Sequence, residues 1–326
     1  MELKEIQMMP KGELHVHLNG LANTGLIRSL LQSSSTELPS NFYLYKDLTR
    51  HTPAGSLSEY LKPWQALRLV PRSRADLSKI VDSAFSELKR DNVEFVELRN
   101  SVIYISLLND ITVSEALEWL LQDIEEQSNR YNIKSGLLLT VTRGEYASEH
   151  LRALLDAYKS LDRPHLVVGL DLAGNEEVSP PPETAYLFRT AKDEEGLSIT
   201  VHAGETGNPQ NIEDAIINYS ADRIGHGTAI VKDPKLIELV KNKDICIEVC
   251  PVSNRLTNAV AENESHPVTE MVKHEVPFVV CSDNPSIHGS TLSNDYFELY
   301  KETNNVLLIQ NMLSAQKKYS FIKGIE

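Results

Sequence analysis

The sequence predicts an α/β fold in which eight βα units close into a barrel, the (β/α)8 or TIM barrel architecture. Three observations predict it: eight short apolar runs, segments of helical periodicity between them, and polar residues at the ends of several runs. Strands that alternate with helices are typical of parallel βα units, and eight such units suit a closed barrel. An open, doubly wound sheet is the alternative for the same pattern.

Each predicted strand is a short apolar run that is compatible with a buried parallel strand. In chain order the runs cover residues 12–18, 93–99, 135–143, 165–173, 197–205, 222–228, 244–251 and 277–285.

The segments between the runs predict helices. In SRADLSKIVDSAFSELKRD, apolar residues recur on one helical face at positions 77, 80, 81, 84, 85 and 88. A second helix is predicted in TVSEALEWLLQDIEEQSNRY, where Thr112 or Ser114 could cap the start. Residues 292–320 are expected to form closing helices.

The first connection, residues 19–92, is longer than one helix requires. We expect it to hold extra helices at about 22–33 and 56–70. They would form a helical lid, at about residues 20–75, over the carboxyl mouth of the barrel. No domain boundary is visible, so residues 1–326 are expected to form a single domain.

Composition narrows the class of function. Of the 326 residues, 41% are hydrophobic and 24% are charged, as expected of a globular protein. The formal net charge is −14 at pH 7, and the basic residues form no run beyond PRSR. Because nucleic-acid binders usually present a basic surface, this balance argues against binding of a polynucleotide.

Cysteine usage and hydropathy point to a reduced compartment. Cys246, Cys250 and Cys281 are too few for a disulfide framework and form no CxxC pair, so a thiolate zinc site is not indicated. The stretch MELKEIQMMPKGEL lacks the apolar core of a signal peptide, and no apolar run approaches the length of a membrane span. We therefore expect a cytoplasmic protein that does not bind membranes.

The stretch GELHVHLNG contains two imidazoles in a predicted strand. Side chains alternate along a strand, so His15 and His17 point the same way. In barrels and open sheets alike, sites lie at the carboxyl ends of the strands. Two imidazoles this close repel each other when both are charged, and a divalent metal between them removes the conflict. A single H-x-H could equally be a pair of core histidines, so the interpretation depends on the other strand ends.

Polar residues also end the fifth, sixth and eighth runs. In HAGE, His202 could be a third nitrogen ligand, and Gly204 permits a turn that would place Glu205 over the mouth. His226 is flanked by glycines, and Asp283 in CSDNP offers a carboxylate oxygen. Singly, Glu205 could be a helix cap, His226 a turn residue and Asp283 an Asx-Pro turn. Together they predict a site suited to Zn²⁺, although Fe²⁺ or Mn²⁺ could occupy the same ligand set.

Other sequence motifs and residues give no indication of a further functional site. GxSxG, Walker A, GxGxxG and the PCxxC pattern of cytidine-type zinc deaminases are absent. Cys250, His274 and His288 belong to no recognised motif and are expected to be core or surface residues.

Seven motifs, taken in order, resemble the adenosine deaminase family of metal-dependent barrel hydrolases: PKGELHVHLNG, VELRNS, VVGLDLAG, VHAGE, RIGHG, IEVCPVSN and CSDNP. They extend from Pro10 to about Pro285, which is nearly the whole chain. The set is specific for the superfamily and less specific for the substrate. The resemblance implies zinc-dependent deamination of adenosine or 2′-deoxyadenosine, a purine nucleoside as the small-molecule partner, and one Zn²⁺ per chain. It leaves the oligomeric state open.

The resemblance also implies roles for residues. Those that match the zinc ligands are His15, His17, His202 and Asp283. Glu205 matches the proton donor to purine N1, and His226 matches the residue that orients and deprotonates the water. The residues expected to contact the substrate are His17, Asn19, Arg99, Ser101, Gly174 and Asn284. By the resemblance, Gly174 would offer its backbone N–H to purine N3, and Arg99 and Ser101 would lie near the ribose pocket.

Two positions depart from the usual pattern. Asn19 replaces an Asp that is expected to accept a hydrogen bond from the ribose 5′-hydroxyl; members that deaminate N6-methyl-AMP share the HLNG form. Asn19 therefore either marks a changed 5′ group or still binds the hydroxyl. Asn284 replaces a second Asp that faces purine N7, and its amide could donate to N7 directly.

Three alternatives stay open. The first is the same reaction on another 6-aminopurine, such as N6-methyl-AMP, adenine or a 5′-modified adenosine. A 5′-phosphate would need a cation at the mouth, for which the candidates are Lys11, Lys62, Arg68 and Arg72. The second is a non-catalytic binding protein, which should lack a ligand or Glu205. The third is a barrel hydrolase of esters or lactams, which usually needs a bridging Lys at a strand end.

Overall fold

The computed structural model of the protein describes residues 1–34 and 37–325, and its centre is a parallel sheet of eight strands. The strands are hydrogen-bonded to their neighbours in chain order, from β1 to β8. Their bounds are β1 Lys11–His17, β2 Val93–Asn100, β3 Lys134–Thr142, β4 Val167–Ala173, β5 Ser198–Ala203, β6 Arg223–His226, β7 Cys246–Val249 and β8 Phe278–Val280. The predicted (β/α)8 TIM barrel is confirmed, and each strand lies within or within one residue of its predicted run.

Helices alternate with the strands. Their bounds are α1 Leu3–Met8, α2 Leu18–Leu21, α3 Thr24–Ser33, α4 Leu44–Asp47, α5 Leu57–Tyr60, α6 Trp64–Leu67, α7 Arg74–Arg90, α8 Val102–Asn109, α9 Val113–Tyr131, α10 Ala147–Ser160, α11 Glu183–Glu195, α12 Pro209–Ile217, α13 Pro234–Asn242, α14 Pro251–Leu256, α15 Val268–Lys273, α16 Pro285–His288, α17 Leu292–Thr303 and α18 Val306–Tyr319. A 3₁₀ helix covers Thr228–Lys232. Within the described ranges, no helix is both long and apolar enough to span a membrane.

The long helices form as their sequence periodicity predicts. All six residues of the predicted apolar face of α7 are buried. Ser73 accepts a hydrogen bond from the Asp76 N–H at the start of that helix. Thr112, rather than Ser114, caps α9 by accepting from the Glu115 N–H. These side chains satisfy backbone donors that the first helical turn leaves unpaired.

The barrel closes between its last and first strands. Val16 and Asp283 form a parallel bridge, in which His17 N–H donates to the Asp283 carbonyl and Asp283 N–H donates to the His15 carbonyl, at 3.0 and 2.8 Å. Below this bridge, the Glu13 carboxyl group accepts from the backbone N–H and hydroxyl of Ser282. Closure of the barrel therefore places the Asp283 backbone beside the two histidines of β1.

The connection between β1 and β2 covers the carboxyl mouth. The helix expected at about 22–33 is α3, whereas the stretch expected at 56–70 is divided into α5 and α6. Pro63 lies between these two helices, and proline interrupts a helix because it lacks an N–H donor. We call residues 44–71 the cover segment. The part of the predicted lid at residues 35–36 lies outside the described residues, as does residue 326.

Candidate active site

The four predicted metal ligands converge above the barrel axis. His17 Nε2 lies 3.3 Å from His202 Nε2 and 3.4 Å from Asp283 Oδ1, and His15 Nε2 lies 3.6 Å from the same oxygen. Two atoms bound tetrahedrally at about 2.1 Å from one ion are roughly 3.4 Å apart. The spacing of these side chains therefore fits a single small divalent cation.

Buried atoms without partners support the same conclusion. His15 is fully buried, and its Nε2 has no hydrogen-bond partner among the described residues. His226 is a fifth member of the cluster, since its ligand atom and those of His15, His202 and Asp283 lie within 4.8 Å of one another. Such a group of facing nitrogen and oxygen atoms, removed from water, suits a metal ion.

Two buried carboxylates orient the imidazoles from below. His15 Nδ1 lies 2.7 Å from Glu248 Oε2, and His202 Nδ1 lies 3.0 Å from Asp171 Oδ1. An ionised carboxylate is an acceptor, so each Nδ1 carries the proton and each Nε2 presents its lone pair to the cluster. Sequence reasoning missed both carboxylates. The available signal was an acidic residue inside the apolar runs VVGLDLA and CIEV.

The barrel interior keeps these carboxylates ionised. Burial by itself would raise the pKa of Glu248, but the guanidinium groups of Arg99 and Arg223, at 2.6 and 2.7 Å, outweigh it and hold the pKa well below its usual range. For Asp171, burial is likewise outweighed, by Arg99 and His202, and its pKa is lowered. Arg99 thus lines the cavity, and its guanidinium group forms ion pairs with Asp171 and Glu248.

Asp283 is held in an uncommon backbone conformation. Its φ is 60°, in the left-handed region that non-glycine residues seldom adopt and that often marks functional sites. Its Oδ2 accepts from the Ser253 hydroxyl at 2.7 Å and from the Tyr60 hydroxyl at 3.0 Å. These two donors leave Oδ1 as the oxygen that faces His15 and His17.

Glu205 is the buried acid of the site. The turn at Gly204, with φ of 85°, is fixed by the Glu176 carboxylate, which accepts from the N–H groups of Gly204 and Glu205 at 2.8 and 2.6 Å. Glu205 Oε1 is buried and has no hydrogen-bond partner in the described part of the chain. Burial, helped by the negative charges of Asp283 and Glu176, raises the pKa of Glu205 well above 4.5. The carboxyl group therefore tends to hold its proton.

His226 is oriented by a directional chain of hydrogen bonds. The Val268 N–H is an obligate donor to His266 Nδ1, so His266 carries its proton on Nε2 and donates it to Asn254 Oδ1. The Asn254 amide then donates to His226 Nδ1 at 3.1 Å. Burial lowers the pKa of His226 well below 6.5, so the ring is neutral at pH 7 and its proton lies on Nε2.

The positions on either side of His226 require glycine. A Cβ on Gly225 would lie 2.9 Å from His15 Cε1, and Gly227 has φ of 58°. His226 itself has φ of 65°. Its Nε2 lies 3.7 Å from Glu205 Oε1, which places the two catalytic candidates side by side.

A cavity of about 320 Å³ lies above the cluster, and each predicted site residue except His15 lines it. Such a volume is at the lower end of the range for small-molecule sites. The cover segment closes one side of the cavity; Trp64 from α6 packs edge-on against His17, with ring centroids 5.4 Å apart. Asn175, after β4, donates to the Ser58 hydroxyl at 3.0 Å and ties the opposite wall to the cover segment.

The two asparagines already use their amides within the protein. Asn19 Nδ2 donates to the carbonyls of Leu67 and Val70, at 2.8 and 3.2 Å, and so joins α2, directly after β1, to the cover segment. Asn284 Nδ2 donates to Asp283 Oδ1 and Tyr60 Oη, at 2.7 and 3.2 Å. Donation from Asn284 to a purine N7 would require the amide to leave one of these acceptors.

The remaining predicted contacts lie at strand ends. Ser101 follows β2 and donates to the Thr140 carbonyl at 3.3 Å. Gly174 follows β4 with φ of 96°, so the chain turns there at the cavity wall.

The four cations proposed for a phosphate lie in different environments. Lys11 is buried and donates to the carbonyls of Ile6, Gln7 and Met9. Lys62 forms an ion pair with Asp47 at 2.8 Å. Arg72 donates to the Leu69 carbonyl, and Arg68 lines the cavity.

His288 was expected to be an ordinary core or surface residue, but it belongs to this site. It is buried, and its Nε2 lies 2.8 Å from Tyr60 Oη, next to Asp283. Its position depends on how the short helix α16 packs under the cover segment. No motif in the sequence signals that packing.

Together, the parallel barrel and the cluster of imidazoles and carboxylates at its carboxyl edge define a metal-site hydrolase of the TIM-barrel class. The family model for adenosine deaminase matches residues 10–307. An adenosine deaminase from Clostridium botulinum (strain 657) is 31% identical over 297 residues, which cover 90% of this chain and 88% of that protein. The chain therefore belongs to the adenosine deaminase family and is a hydrolytic aminohydrolase.

Solved structures share the fold at lower identity. A zinc-bound amidohydrolase from Burkholderia ambifaria superposes with a TM-score of 0.87 at 20% identity, over 99% of this chain and 88% of that one. An N6-mAMP deaminase from Arabidopsis superposes with a TM-score of 0.82 at 22% identity, over 98% of this chain and 96% of that one. These similarities support the barrel fold across its full length.

Proposed function

We propose that the protein is a zinc-dependent deaminase that converts adenosine or 2′-deoxyadenosine to inosine or 2′-deoxyinosine and ammonia. The observation that carries the proposal is Glu205, a buried carboxyl group with an unpaired oxygen on the wall of the cavity. It lies beside the candidate metal cluster, where it can protonate a ring nitrogen of a 6-aminopurine held in the cavity. The 31% identity to an adenosine deaminase supports the same reaction.

The proposed metal ligands are His15, His17, His202 and Asp283, and the spacing of their atoms supports a single Zn²⁺. When bound, the ion would supply Lewis acidity that lowers the pKa of a water molecule from about 15.7 to about 7. Glu248 and Asp171 hold two of the imidazoles in the tautomer that a metal requires.

Glu205 would protonate purine N1. Attack of water at C6 disrupts the aromatic ring and builds negative charge on N1, so a proton delivered there lowers the barrier. A carboxyl group can do this only while it holds its proton, and the burial that raises the pKa of Glu205 supports that state. The unpaired Oε1 is free to meet a substrate nitrogen.

His226 would orient the attacking water. Because its neutral ring carries the proton on Nε2, it donates to the attacking oxygen and stabilises negative charge there. The resemblance implied that His226 also takes the proton of the water. The hydrogen-bond chain through Asn254 favours the donor role, since Nδ1 is occupied and Nε2 holds the proton. As the C6–N6 bond breaks, the two protons of the attacking water would pass to the Glu205 carboxylate and to the leaving amine, which departs as ammonia.

Asn19 favours a nucleoside over a nucleotide. Both hydrogens of its amide are taken by the cover segment, so Oδ1 is the polar atom that it can offer to a substrate. An acceptor oxygen suits a 5′-hydroxyl donor and repels a 5′-phosphate. The second candidate substrate is a 6-aminopurine nucleotide. Arg68 supports it, since a cation on the cavity wall could bind the phosphate group.

Ammonia release by the zinc-loaded protein tests the proposal. The panel contains adenosine, 2′-deoxyadenosine, adenine, AMP, N6-methyl-AMP and 5′-modified adenosines, the methylated substrate being followed through its methylamine product. Turnover of the two nucleosides at the highest kcat/KM is the expected result. A higher kcat/KM for a nucleotide would instead identify the second candidate, a 6-aminopurine nucleotide, as the substrate. No release of amine from any member of the panel would refute the deaminase.

A further inference from the structure

The cover segment makes a direct hydrogen bond to a proposed metal ligand. Tyr60 ends α5, is 4% exposed, and donates its hydroxyl to Asp283 Oδ2 at 3.0 Å. The two residues are 223 positions apart in the sequence. A segment outside the barrel therefore contacts the side chain on which the candidate metal cluster depends.

The neighbours of Tyr60 fix the direction of this bond. Asn284 Nδ2 donates to the phenol oxygen at 3.2 Å, and His288 Nε2 lies 2.8 Å away. The phenol has one proton, and the carboxylate of Asp283 is a stronger acceptor than a neutral imidazole. The phenol proton therefore goes to Asp283, while His288 donates to the phenol oxygen.

A second donor to the same oxygen comes from the barrel. Ser253, in α14, donates to Asp283 Oδ2 at 2.7 Å. Asp283 Oδ2 is thus shared between one donor from the barrel and one from the cover segment. The pair offers a natural comparison, because only Tyr60 would leave the carboxylate if the cover segment moved away.

The surroundings of Tyr60 make its hydroxyl sensitive to that movement. In the middle of the cover segment, Leu57 and Tyr60 pack with Ala54 and Leu256 in a small cluster separate from the main core, whereas Leu48 and Leu67 nearer its two ends belong to the main core. The Ala54 N–H donates to the Leu256 carbonyl at 2.9 Å. A small satellite cluster is easier to separate from the barrel than a part of the main core.

We propose that Tyr60 is a positioning residue through which the cover segment acts as a lid coupled to the zinc site. With the lid closed, the Tyr60 hydroxyl fixes the Asp283 carboxylate in the orientation that points Oδ1 at the histidines. By linkage, zinc then stabilises the closed lid as much as the closed lid stabilises bound zinc. This inference rests on the proposed function for the presence of zinc, but not for the identity of the substrate.

Two measurements test the coupling in the full chain. The first is the rate at which a chromogenic chelator removes Zn²⁺, and the second is hydrogen exchange of peptides from residues 44–71 with and without Zn²⁺. The variants are Tyr60→Phe, which removes only the hydroxyl, and Ser253→Ala, which removes the barrel donor. Tyr43→Phe is the matched control, because it makes the same change at a tyrosine that directly precedes the cover segment and is 66% exposed.

Zinc should slow exchange of the lid in the natural protein, in Ser253→Ala and in Tyr43→Phe. In Tyr60→Phe this effect of zinc should be lost, and zinc release should be roughly tenfold faster or more, in the range seen when a group that orients a metal ligand is removed. Ser253→Ala should also release zinc faster. It therefore separates weaker support of Asp283 from loss of coupling, and it keeps the test valid if Tyr60→Phe folds poorly.

Tyr60→Phe that behaves like Tyr43→Phe in both measurements would overturn the coupling while leaving the deaminase proposal intact. Loss of the effect of zinc on the lid in Ser253→Ala would also overturn it, because an intact Tyr60 would then fail to couple the lid to the zinc site. A natural protein that binds no zinc would overturn the metal site and the coupling together. Normal coupling without deamination of any substrate would refute only the proposed reaction.

Discussion

Replacement of Glu205 by glutamine should abolish turnover and leave the site assembled. The amide has the shape of the carboxyl group and can still donate a hydrogen bond to a purine nitrogen, but it has no acidic proton to transfer. Zinc content and the affinity for a purine should therefore change little. The loss should fall on kcat, because protonation of N1 is needed in the transition state and not for binding.

The environment of Glu205 sets the size of the effect. The side chain is buried; of the other nearby acids, Asp283 is a proposed metal ligand and Glu176 is occupied by two backbone N–H groups. A positioned general acid typically contributes 10²–10⁴-fold in rate. Glu205→Gln should therefore lower kcat by roughly that factor, or about 3–5 kcal/mol in activation free energy.

The assay follows ammonia release from adenosine, with the inhibition constant of a purine as the measure of binding. Glu177→Gln makes the same substitution at an exposed neighbour and should retain full activity. A Glu205→Gln variant with near-natural kcat would refute the N1-donor role. A variant that loses zinc or purine affinity instead would show that Glu205 supports the site rather than donates a proton.

The raised pKa of Glu205 adds two pH dependences. Activity should fall as pH rises through the pKa of Glu205, because the acid form is lost. Stability from this group is fully present below the unfolded pKa near 4.5, and is lost as pH rises toward the folded pKa. The apo Glu205→Gln variant should therefore gain unfolding free energy relative to the natural apo protein as pH increases, by about 1.4 kcal/mol per pH unit between the two pKa values.

Three further substitutions test other parts of the site. Asn19→Asp replaces the two amide donors by a carboxylate that faces the Leu67 and Val70 carbonyls and weakens the attachment of the cover segment. KM for adenosine should therefore rise roughly tenfold or more, with kcat little changed. An unchanged KM would show that this contact does not hold the cover segment. Gly20→Ala would place a Cβ 2.0 Å from Asn284 Oδ1 and displace that side chain, so kcat/KM should fall measurably, whereas unchanged kinetics would remove Asn284 from the machinery. Glu248→Gln removes the buried carboxylate between Arg99 and Arg223 and should lower the unfolding free energy, measured in urea, by about 3–5 kcal/mol. The control Glu238→Gln, on the surface of α13, should change the unfolding free energy little. Equal stability of the two variants would contradict the role of the buried ion pairs.

The barrel could be predicted because each strand is buried on both faces and therefore leaves a continuous apolar run. The turns that end strands at the site were also visible, since Gly204 and Gly227 adopt conformations that favour glycine. Strand lengths were less visible. Strands β4 to β8 are shorter than their runs because the runs include residues of the adjoining turns, as in the run that contains β8 and ends at Pro285.

The ligands could be predicted because their chemistry interrupts an apolar pattern at strand ends, as with His15 and Asp283. The residues that orient them could not be assigned in the same way. Glu248 lies inside a strand, and its partner on β1 is revealed only by the order of strands around the barrel. Tyr60 reaches Asp283 because of how two short helices pack, and short helices have too few turns to show a periodicity.

The bridge between Val16 and Asp283 also bears on the order in which the chain is made. β1 leaves the ribosome early, but the residues that cover its open edge come last: Glu13 and Ser282 are 269 positions apart. At about 5–20 residues per second, that edge waits roughly 13–54 s for its partner. An unpaired strand edge is a site for wrong pairing with other chains, so newly made protein should depend on chaperones until β8 is synthesised. The two histidines of β1 and the carboxylate of Asp283 are thus made at opposite ends of synthesis, so the candidate metal site can assemble only after most of the chain has been synthesised.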